Sequence, residues 1–429
     1  MRVRVEPCRR LSGTVAAPPS KNYTTRYLLA AGLAEGESLV VNPARNDDAL
    51  AMIRCLETLG AEIRPVEEGL LVRGFGGRPR RRADLDVGNA GAVLRFLLAV
   101  AALGEEISFR TPFPESLGKR PHGDLLEALA ALGARVESDG GRLPIVVRGG
   151  ELRGGRVEVR GSVSSQFTSA LLFLAPLLPD GLAIQVVDGL RSQAAVHTTL
   201  EVLERAGIEA EADWDRLLFR VPGGQRYRPG RFAVNGDYPG AAAILAAAAL
   251  VPGEVTVTGL FPDSQGERAA LEAFAAMGAE VSAGPDRVRI AGGRPLRGIA
   301  FEGDRAIDAV LSLATAAAFA EGESVFTRVG HLRFKESDRL GDFAAEMRRV
   351  GLDLEPRGEE LIVRGRPGGI PGGVLVSAHQ DHRLVMALAA AGLRSERGLV
   401  IDGAEHVAKS YPGFFADLRR LGAAIAEEG

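Results

Sequence analysis

ETLGAEI, residues 57–63, is one of six copies of a single pattern, and that pattern decides the architecture. AALGARV (130–136), ERAGIEA (204–210), AAMGAEV (275–281), RRVGLDL (348–354) and RRLGAAI (419–425) repeat it, with the shared glycine at 60, 133, 207, 278, 351 and 422. The period is roughly 72 residues. In each copy a helix-like run stops at a glycine, which suits a C-cap because a left-handed residue there satisfies the last carbonyls. The residues that follow read as a strand. A second segment recurs between the copies: an Ala/Leu-rich helix running through glycine into a strand. Examples are YLLAAGLAEGESLVV (27–41), FLLAVAALGEEISFR (96–110), AAILAAAALVPGEVTV (242–257) and LATAAAFAEGESVFT (313–327). A helix apolar nearly all round belongs inside a core.

The unit is therefore helix, strand, helix, strand with further short strands, and six units divide most simply into two domains of three. A solenoid is disfavoured because solenoid periods are usually shorter. Turn-rich YRPGRFAVNGD (227–237) lies midway and is the expected crossover. The expected domains are residues 16–234, and residues 1–15 with 235–429.

At 46% hydrophobic, 25% charged and only 5% aromatic, the chain reads as a soluble globular protein with a core of Ala, Leu and Val. A net charge of −3 and scarce aromatics argue against nucleic-acid binding. FTSALLFLAPLLP and AAAILAAAALVPG fall short of the ~18 apolar residues of a membrane span. MRVRVEPCRR at the start lacks the apolar stretch of a secretory signal, so a cytoplasmic location is expected. Cys8 and Cys55 form neither a metal spacing nor a disulfide framework.

Four of the 52 basic residues are lysines, leaving 52 − 4 = 48 arginines. Lysine persists where a compact ammonium with a movable pKa serves better than a rigid fork. Lys21 opens KNYTTR with Arg26, Lys335 opens KESDRL with Arg339, Lys409 sits in AKSYP, and Lys119 adjoins Arg120.

Polar residues precede all six Ala-rich helices: Lys21-Asn22, Asn89-Ala90-Gly91 and Ser164-Ser165-Gln166 in the first half, then Asp237, Asp308 and Asp381-His382-Arg383. Capping explains Asn, Ser and Asp there. It does not explain Lys21, Gln166, His382 or Arg383. Helix starts attract anions, so three neutral or cationic starts make an anion-binding wall and three aspartates an acid/base wall. If each domain gathers its starts toward one cleft, the site forms when the halves meet. Two trianions about 7 Å apart repel by roughly 5 kcal/mol in water and about 20 at an effective dielectric of 20. Helix ends at ~0.3–1 kcal/mol each do not offset that, so several Lys and Arg must converge.

PSKN with Arg26, GNAG at 88–91, KRP at 119–121, SSQF at 164–167, KESDRL at 335–340, DHR at 381–383 and AKSYP at 408–412 together resemble the 5-enolpyruvylshikimate-3-phosphate synthase family. GNAG alone is a weak signal; KESDRL and DHR so spaced in a six-unit chain are strong. The resemblance covers the whole length and implies an α/β fold, a two-domain inside-out barrel of six βαβαββ units. It implies no metal or organic cofactor, a monomer, and only small-molecule partners: phosphoenolpyruvate and shikimate 3-phosphate. By this likeness Lys21, Asn22, Arg26, Ser164, Ser165, Gln166, Ser192, Asp308, His331 and Lys335 would hold the shikimate phosphate. Lys21, Gly91, Arg120, Gln166, Arg339, Arg383 and Lys409 would hold phosphoenolpyruvate.

The chemistry so implied needs an acid for the methylene carbon, a base for the attacking 5-hydroxyl, and a base again as phosphate leaves. Glu336 fits the carbon acid/base and Asp308 the hydroxyl, with Lys21, His382 and Lys409 assisting departure or proton transfer. Asn22, Ala92, Phe96, Ala195 and His331 depart from the residues usual in that family, and all bear on the acceptor pocket or its lining more than on the phosphoenolpyruvate cations. The rivals are the sister transferase acting on UDP-N-acetylglucosamine, a transferase for another cyclic alcohol, and a non-catalytic phosphometabolite binder. The first usually has a cysteine in the loop that here reads SLGKRPHG, and the last has no use for Asp308 and Glu336. His122, His197 and His379 show no evident partner in the sequence, and Trp214 reads as strand packing.

Overall fold

The computed structural model describes residues 1–428. They fall into two units: a continuous one, Pro19–Val234, and a split one, Met1–Pro18 with the chain from Asn235 onward. The chain thus passes between units after residues 18 and 234, where the repeat pattern suggested 15 and 234.

Each unit holds three four-stranded sheets of one common order. In the simplest copy Arg82–Asp86 runs parallel to Glu106–Arg110, which pairs antiparallel with Arg142–Arg148, which pairs antiparallel with Arg135–Asp139. Helices Gly91–Ala101 and Gly123–Ala131 separate the first three strands, so the chain order is βαβαββ. Copies 155–221 and 300–364 repeat it without interruption.

The other three copies are completed by distant chain. Gly13–Ala16 precedes helix Lys21–Leu33 in sequence yet pairs with Gly253–Thr258 of the split unit. Arg231–Ala233 precedes helix Tyr238–Leu250 yet pairs with Glu35–Val41 of the continuous unit. Arg2–Val5 lies between Leu399–Asp402 and Ile425–Glu428 and completes the sixth sheet. The repeat could not reveal this exchange, because helix and strand alternate identically whichever sheet the first strand joins.

Each unit has its own apolar core. Every residue of Tyr238–Leu250, Gly91–Ala101 and His382–Leu393 is buried, as their largely apolar sequences require, and Arg95, His382 and Arg383 are buried with them. In the split unit Tyr238–Leu250, Val310–Ala317 and His382–Leu393 contact one another. Sheets cover these helices with one face inward: Val157 and Val159 are buried while Arg156, Glu158 and Arg160 between them are exposed. Helices inside and sheets outside is the expected inside-out α/β arrangement. The six shared glycines all have φ between +76° and +114°. Gly60 closes helix Asp47–Leu59, donating its N–H to the carbonyls of Glu57 and Leu56. Among the described residues, no helix is long and apolar enough to cross a membrane, and both cysteines are free thiols.

Helix capping follows the sequence in part. Ser20, Ser164, Asp237 and Asp381 each accept a backbone N–H at a buried helix start. Lys21 is therefore the first helical residue and Ser20 its cap. Two leads differ from the capping expectation. Asn89 lies one residue outside the cap position, which Ala90 fills without a side-chain bond. Asp308 sits within the 3-10 turn Gly303–Ala309, and its carboxylate turns to arginines.

Candidate active site

KESDRL places its charges with one short bend. The 3-10 turn Gly330–Phe334 ends at Lys335, and Asp338 caps helix Arg339–Arg349 by accepting the Gly341 N–H. Arg339, the first helical residue, is thereby driven inward until only 2% of its side chain is exposed. A guanidinium that deep must be paired. Its Nε donates to Asp381 Oδ2 at 2.7 Å, Nη1 to Asp308 Oδ1 at 3.0 Å and Nη2 to Glu336 Oε2 at 2.8 Å. Burial opposes its charge, but Asp381, Glu336 and Asp308 outweigh burial and leave its pKa raised.

The network extends from each carboxylate. Lys409 Nζ lies 3.1 Å from Glu336 Oε1, so Glu336 bridges Lys409 and Arg339. Arg383 Nη2 lies 3.8 Å from Asp308 Oδ2. Asp381 also accepts the Arg383 N–H at 2.8 Å, and its Oδ1 is 3.6 Å from His382 Nδ1. Three carboxylates (Asp308, Glu336, Asp381) face three cations (Arg339, Arg383, Lys409), for a formal balance of 3 − 3 = 0. Lys335 follows the same bend, partly buried. His331 goes elsewhere, with Nε2 3.4 Å from Asp304 Oδ1.

In the continuous unit, Lys21 Nζ is 3.1 Å from Asp48 Oδ2 in the first turn of the next helix. Arg26 is fully buried, donating to Thr199 Oγ1 at 2.9 Å, the Asn22 carbonyl at 3.0 Å and the Ala195 carbonyl at 3.1 Å. Burial pulls its pKa down to about 10, and its guanidinium carbon lies 5.0 Å from the Phe96 ring centroid. Three of its five N–H bonds thus tie the Asn22 turn to the Ala195 turn. Ser192, with φ +50°, starts helix Gln193–Arg205.

Gly91 begins helix Gly91–Ala101, and a Cβ there would stand 2.9 Å from Arg120 Nη1 and 3.5 Å from Arg95 Nη1. The missing side chain admits two guanidinia to the helix start. Arg95 Nη1 donates to Gln166 Oε1 at 2.6 Å, while Ser164 Oγ accepts the Gln166 N–H. His122 is buried, and burial with nearby Arg95 and Arg120 lowers its pKa to about 2, so it is a neutral imidazole.

The structure thus joins Asp308, Glu336, Arg339, Arg383, His382 and Lys409 in one network of the split unit. Within the continuous unit it links Gly91 with Arg120, and Asn22 with Arg26. Sequence reasoning gave no role to four further polar residues. Asp381 passed as part of a helix lead. Arg95 had a signal, a lone charge inside GAVLRFLLAVA. Asp48 and Glu267 had none, each lying in a run that reads as solvated helix. Glu267 Oε1 is 3.4 Å from the Asp308 backbone nitrogen. Burial, then the Asp308 carboxylate, push its pKa up to about 7. Of the three histidines without evident partners, His197 stacks on Trp214 at 3.8 Å and His379 meets two carboxylates. Among the described residues no group of three or more His, Cys, Asp or Glu is arranged to hold a metal ion.

Residues 5–418 match the family described as EPSP synthase (3-phosphoshikimate 1-carboxyvinyltransferase). A curated protein of Deinococcus radiodurans, named 3-phosphoshikimate 1-carboxyvinyltransferase, is 51% identical over 98% of this chain and 96% of its own. One of Methanosarcina mazei with the same name is 39% identical over 97% of both chains. Among solved structures, the EPSP synthase of Acinetobacter baumannii superposes with a TM-score of 0.81 at 25% identity, covering 99% of this chain and 100% of that one.

Proposed function

The chain belongs to the EPSP synthase family, and from that premise we propose how its two polar clusters divide the reaction. The protein is a 3-phosphoshikimate 1-carboxyvinyltransferase: it transfers the enolpyruvyl group of phosphoenolpyruvate to shikimate 3-phosphate in aromatic biosynthesis. The 5-hydroxyl oxygen bonds to C2 of phosphoenolpyruvate as C3 takes a proton, giving a tetrahedral adduct. C3 then returns a proton, the C2–O bond to phosphate breaks, and the enol ether and phosphate remain.

One observation carries the residue roles: Glu336 and Asp308 hang on the same buried guanidinium, at 2.8 and 3.0 Å, with Lys409 on the other oxygen of Glu336. Glu336 handles the proton at C3, with the Lys409 ammonium beside it to hold charge as the proton moves. Asp308 takes the hydroxyl proton. Arg339 positions both acids and, with Arg383 and Lys409, attracts the carboxylate and phosphate of phosphoenolpyruvate. His382, held beside Asp381, assists proton transfer through that carboxylate. Because this cluster is neutral in itself, a multivalent anion needs further cations, and Lys21 and Arg120 supply them, with the Gly91 N–H and Gln166 as neutral donors.

Shikimate 3-phosphate is held by Lys21, Asn22, Ser164, Ser165, Gln166, Ser192, Lys335 and the remaining N–H groups of Arg26, with Asp308 at its hydroxyl. His331, 3.4 Å from Asp304, is assigned to the same substrate. The enzyme works as a monomer in the cytoplasm without cofactor, and its two units act as its domains. The test is phosphate release from phosphoenolpyruvate with shikimate 3-phosphate, shikimate and UDP-N-acetylglucosamine in turn. Release with the first alone is expected. Release only with the third would transfer the chain to the sister activity, and release with none would leave a binding protein.

A further inference from the structure

We infer that His379 is a positioning residue for the phosphoenolpyruvate cations, clamping a strained turn that delivers Asp381, His382 and Arg383 to their places. The inference rests on the residue roles just proposed. Helix Arg339–Arg349 presents Arg339, Asp342, Glu346 and Arg349 at spacings of three, four and three, a single stripe along its length. That stripe stitches the strand Val374–Ser377 and the turn after it, bond by bond. Arg349 Nη2 donates to the Leu375 carbonyl at 2.9 Å. Glu346 Oε2 accepts the Ser377 N–H at 3.2 Å. His379 Nε2 reaches Glu346 Oε1 at 3.1 Å and its Nδ1 stands 3.7 Å from Asp342 Oδ1. Arg339 then holds Asp381 at 2.7 Å.

His379 is the side chain in the middle of this row, and it sits where the backbone most needs holding. His379 and Gln380 are consecutive non-glycine residues at φ +48° and +57°, a conformation that persists only when its surroundings over-determine it. The turn's own bonds are two, from the His379 N–H to Ser377 Oγ at 3.2 Å and from the Asp381 N–H to the Ala378 carbonyl at 2.8 Å. Glu346 is buried and further paired with Arg349 at 2.8 Å, so its carboxylate is a fixed anchor for the imidazole. Loss of the clamp frees the turn to relax toward ordinary backbone angles. Asp381 then moves, and with it the Arg339 guanidinium and the Arg383 helix start.

The experiment compares His379→Ala, His379→Gln and, as a benchmark, Arg383→Ala, measuring kcat and KM for each substrate with the thermal midpoint of each protein. His379→Ala is expected to lower kcat and raise KM for phosphoenolpyruvate by about tenfold, as for a lost charge-assisted hydrogen bond, with KM for shikimate 3-phosphate nearly unchanged. His379→Gln, which keeps a donor for Glu346, should recover most of the loss. If His379→Ala does not fold, His379→Phe, similar in volume but without ring nitrogens, is read by the same criterion. The proposal is overturned if Arg383→Ala raises the phosphoenolpyruvate KM while the His379 variants lower only the thermal midpoint. If Arg383→Ala leaves that KM unchanged, the residue roles themselves are wrong and the clamp falls with them.

Discussion

Arg339 concentrates the chemistry in one side chain, because its three nitrogens each hold a different carboxylate. Removing one acid therefore perturbs charge as well as proton transfer. Asp308→Asn keeps an acceptor for Arg339 but loses the base, and should cut kcat by ~10²–10⁴ with a smaller change in either KM. Steady-state kinetics check it; an unchanged kcat would remove Asp308 from proton transfer. At Gly91 a methyl group meets Arg120 Nη1 at 2.9 Å. Gly91→Ala should displace that guanidinium and raise KM for phosphoenolpyruvate by about tenfold, while helix content by circular dichroism stays the same. Glu267 has a sharper signature. Its folded pKa, about 7, is raised above its ordinary value by burial and by Asp308. The folded state thus binds more protons than the unfolded state between about pH 4.5 and 7, and stability falls as pH rises through that window. Glu267→Gln should stabilise the protein at pH 8 by up to ~3 kcal/mol and do nothing near pH 4. Denaturant titrations at both pH values test this, and equal effects at both would exclude the linkage.

Elements were legible where one physical rule dominates. The six glycines read as C-caps because no other residue takes φ near +100° without strain, and all six have positive φ. A Cβ at Gly60 would find its nearest atom, Arg80 Cγ, at 3.6 Å, so space is not the obstacle. Gly60→Ala should then cost about 1–2 kcal/mol from backbone torsion alone, read as a lower denaturation midpoint at constant m-value. Helix starts were legible only in part. Ser20, Ser164, Asp237 and Asp381 cap as their chemistry suggests. Asp308 and Asn89 have equally good capping side chains but do not cap: arginines claim the Asp308 carboxylate, and Asn89 falls one residue before the cap position. Sequence shows which residues are able to cap; it does not show which charges wait nearby. The same limit hid Glu267 and Asp48, whose burial comes from elements far along the chain, and it hid the carboxylates flanking His379. KESDRL, DHR and AKSYP were readable as a set, whereas the bonding of all three to one guanidinium network was not.

For the whole molecule, the strand exchange makes the two units unequal. All three sheets of the continuous unit lie within residues 19–234, including the closing strand Arg231–Ala233. The split unit lacks two sheet strands, Arg2–Val5 and Gly13–Ala16, without the first 18 residues. A fragment 19–234 should therefore unfold cooperatively by itself, and a fragment 235–429 should fold only when residues 1–18 are supplied. Hydrogen exchange on the two fragments separates the cases; a stably protected 235–429 fragment would refute the dependence. The two polar clusters belong to different units: Asp308, Glu336 and the Arg339 network to the split one, Lys21, Gly91 and Arg120 to the continuous one.

Glu336 is the proposed mover of the proton at C3 of phosphoenolpyruvate. Turnover in deuterated water reads this directly, because each reversible protonation writes solvent deuterium into the methylene of product and recovered phosphoenolpyruvate. Wild type should incorporate label only when shikimate 3-phosphate is present, and Glu336→Gln should bind both substrates yet incorporate none above background. Label entering at the wild-type rate in Glu336→Gln would contradict the assignment and move the proton to another group.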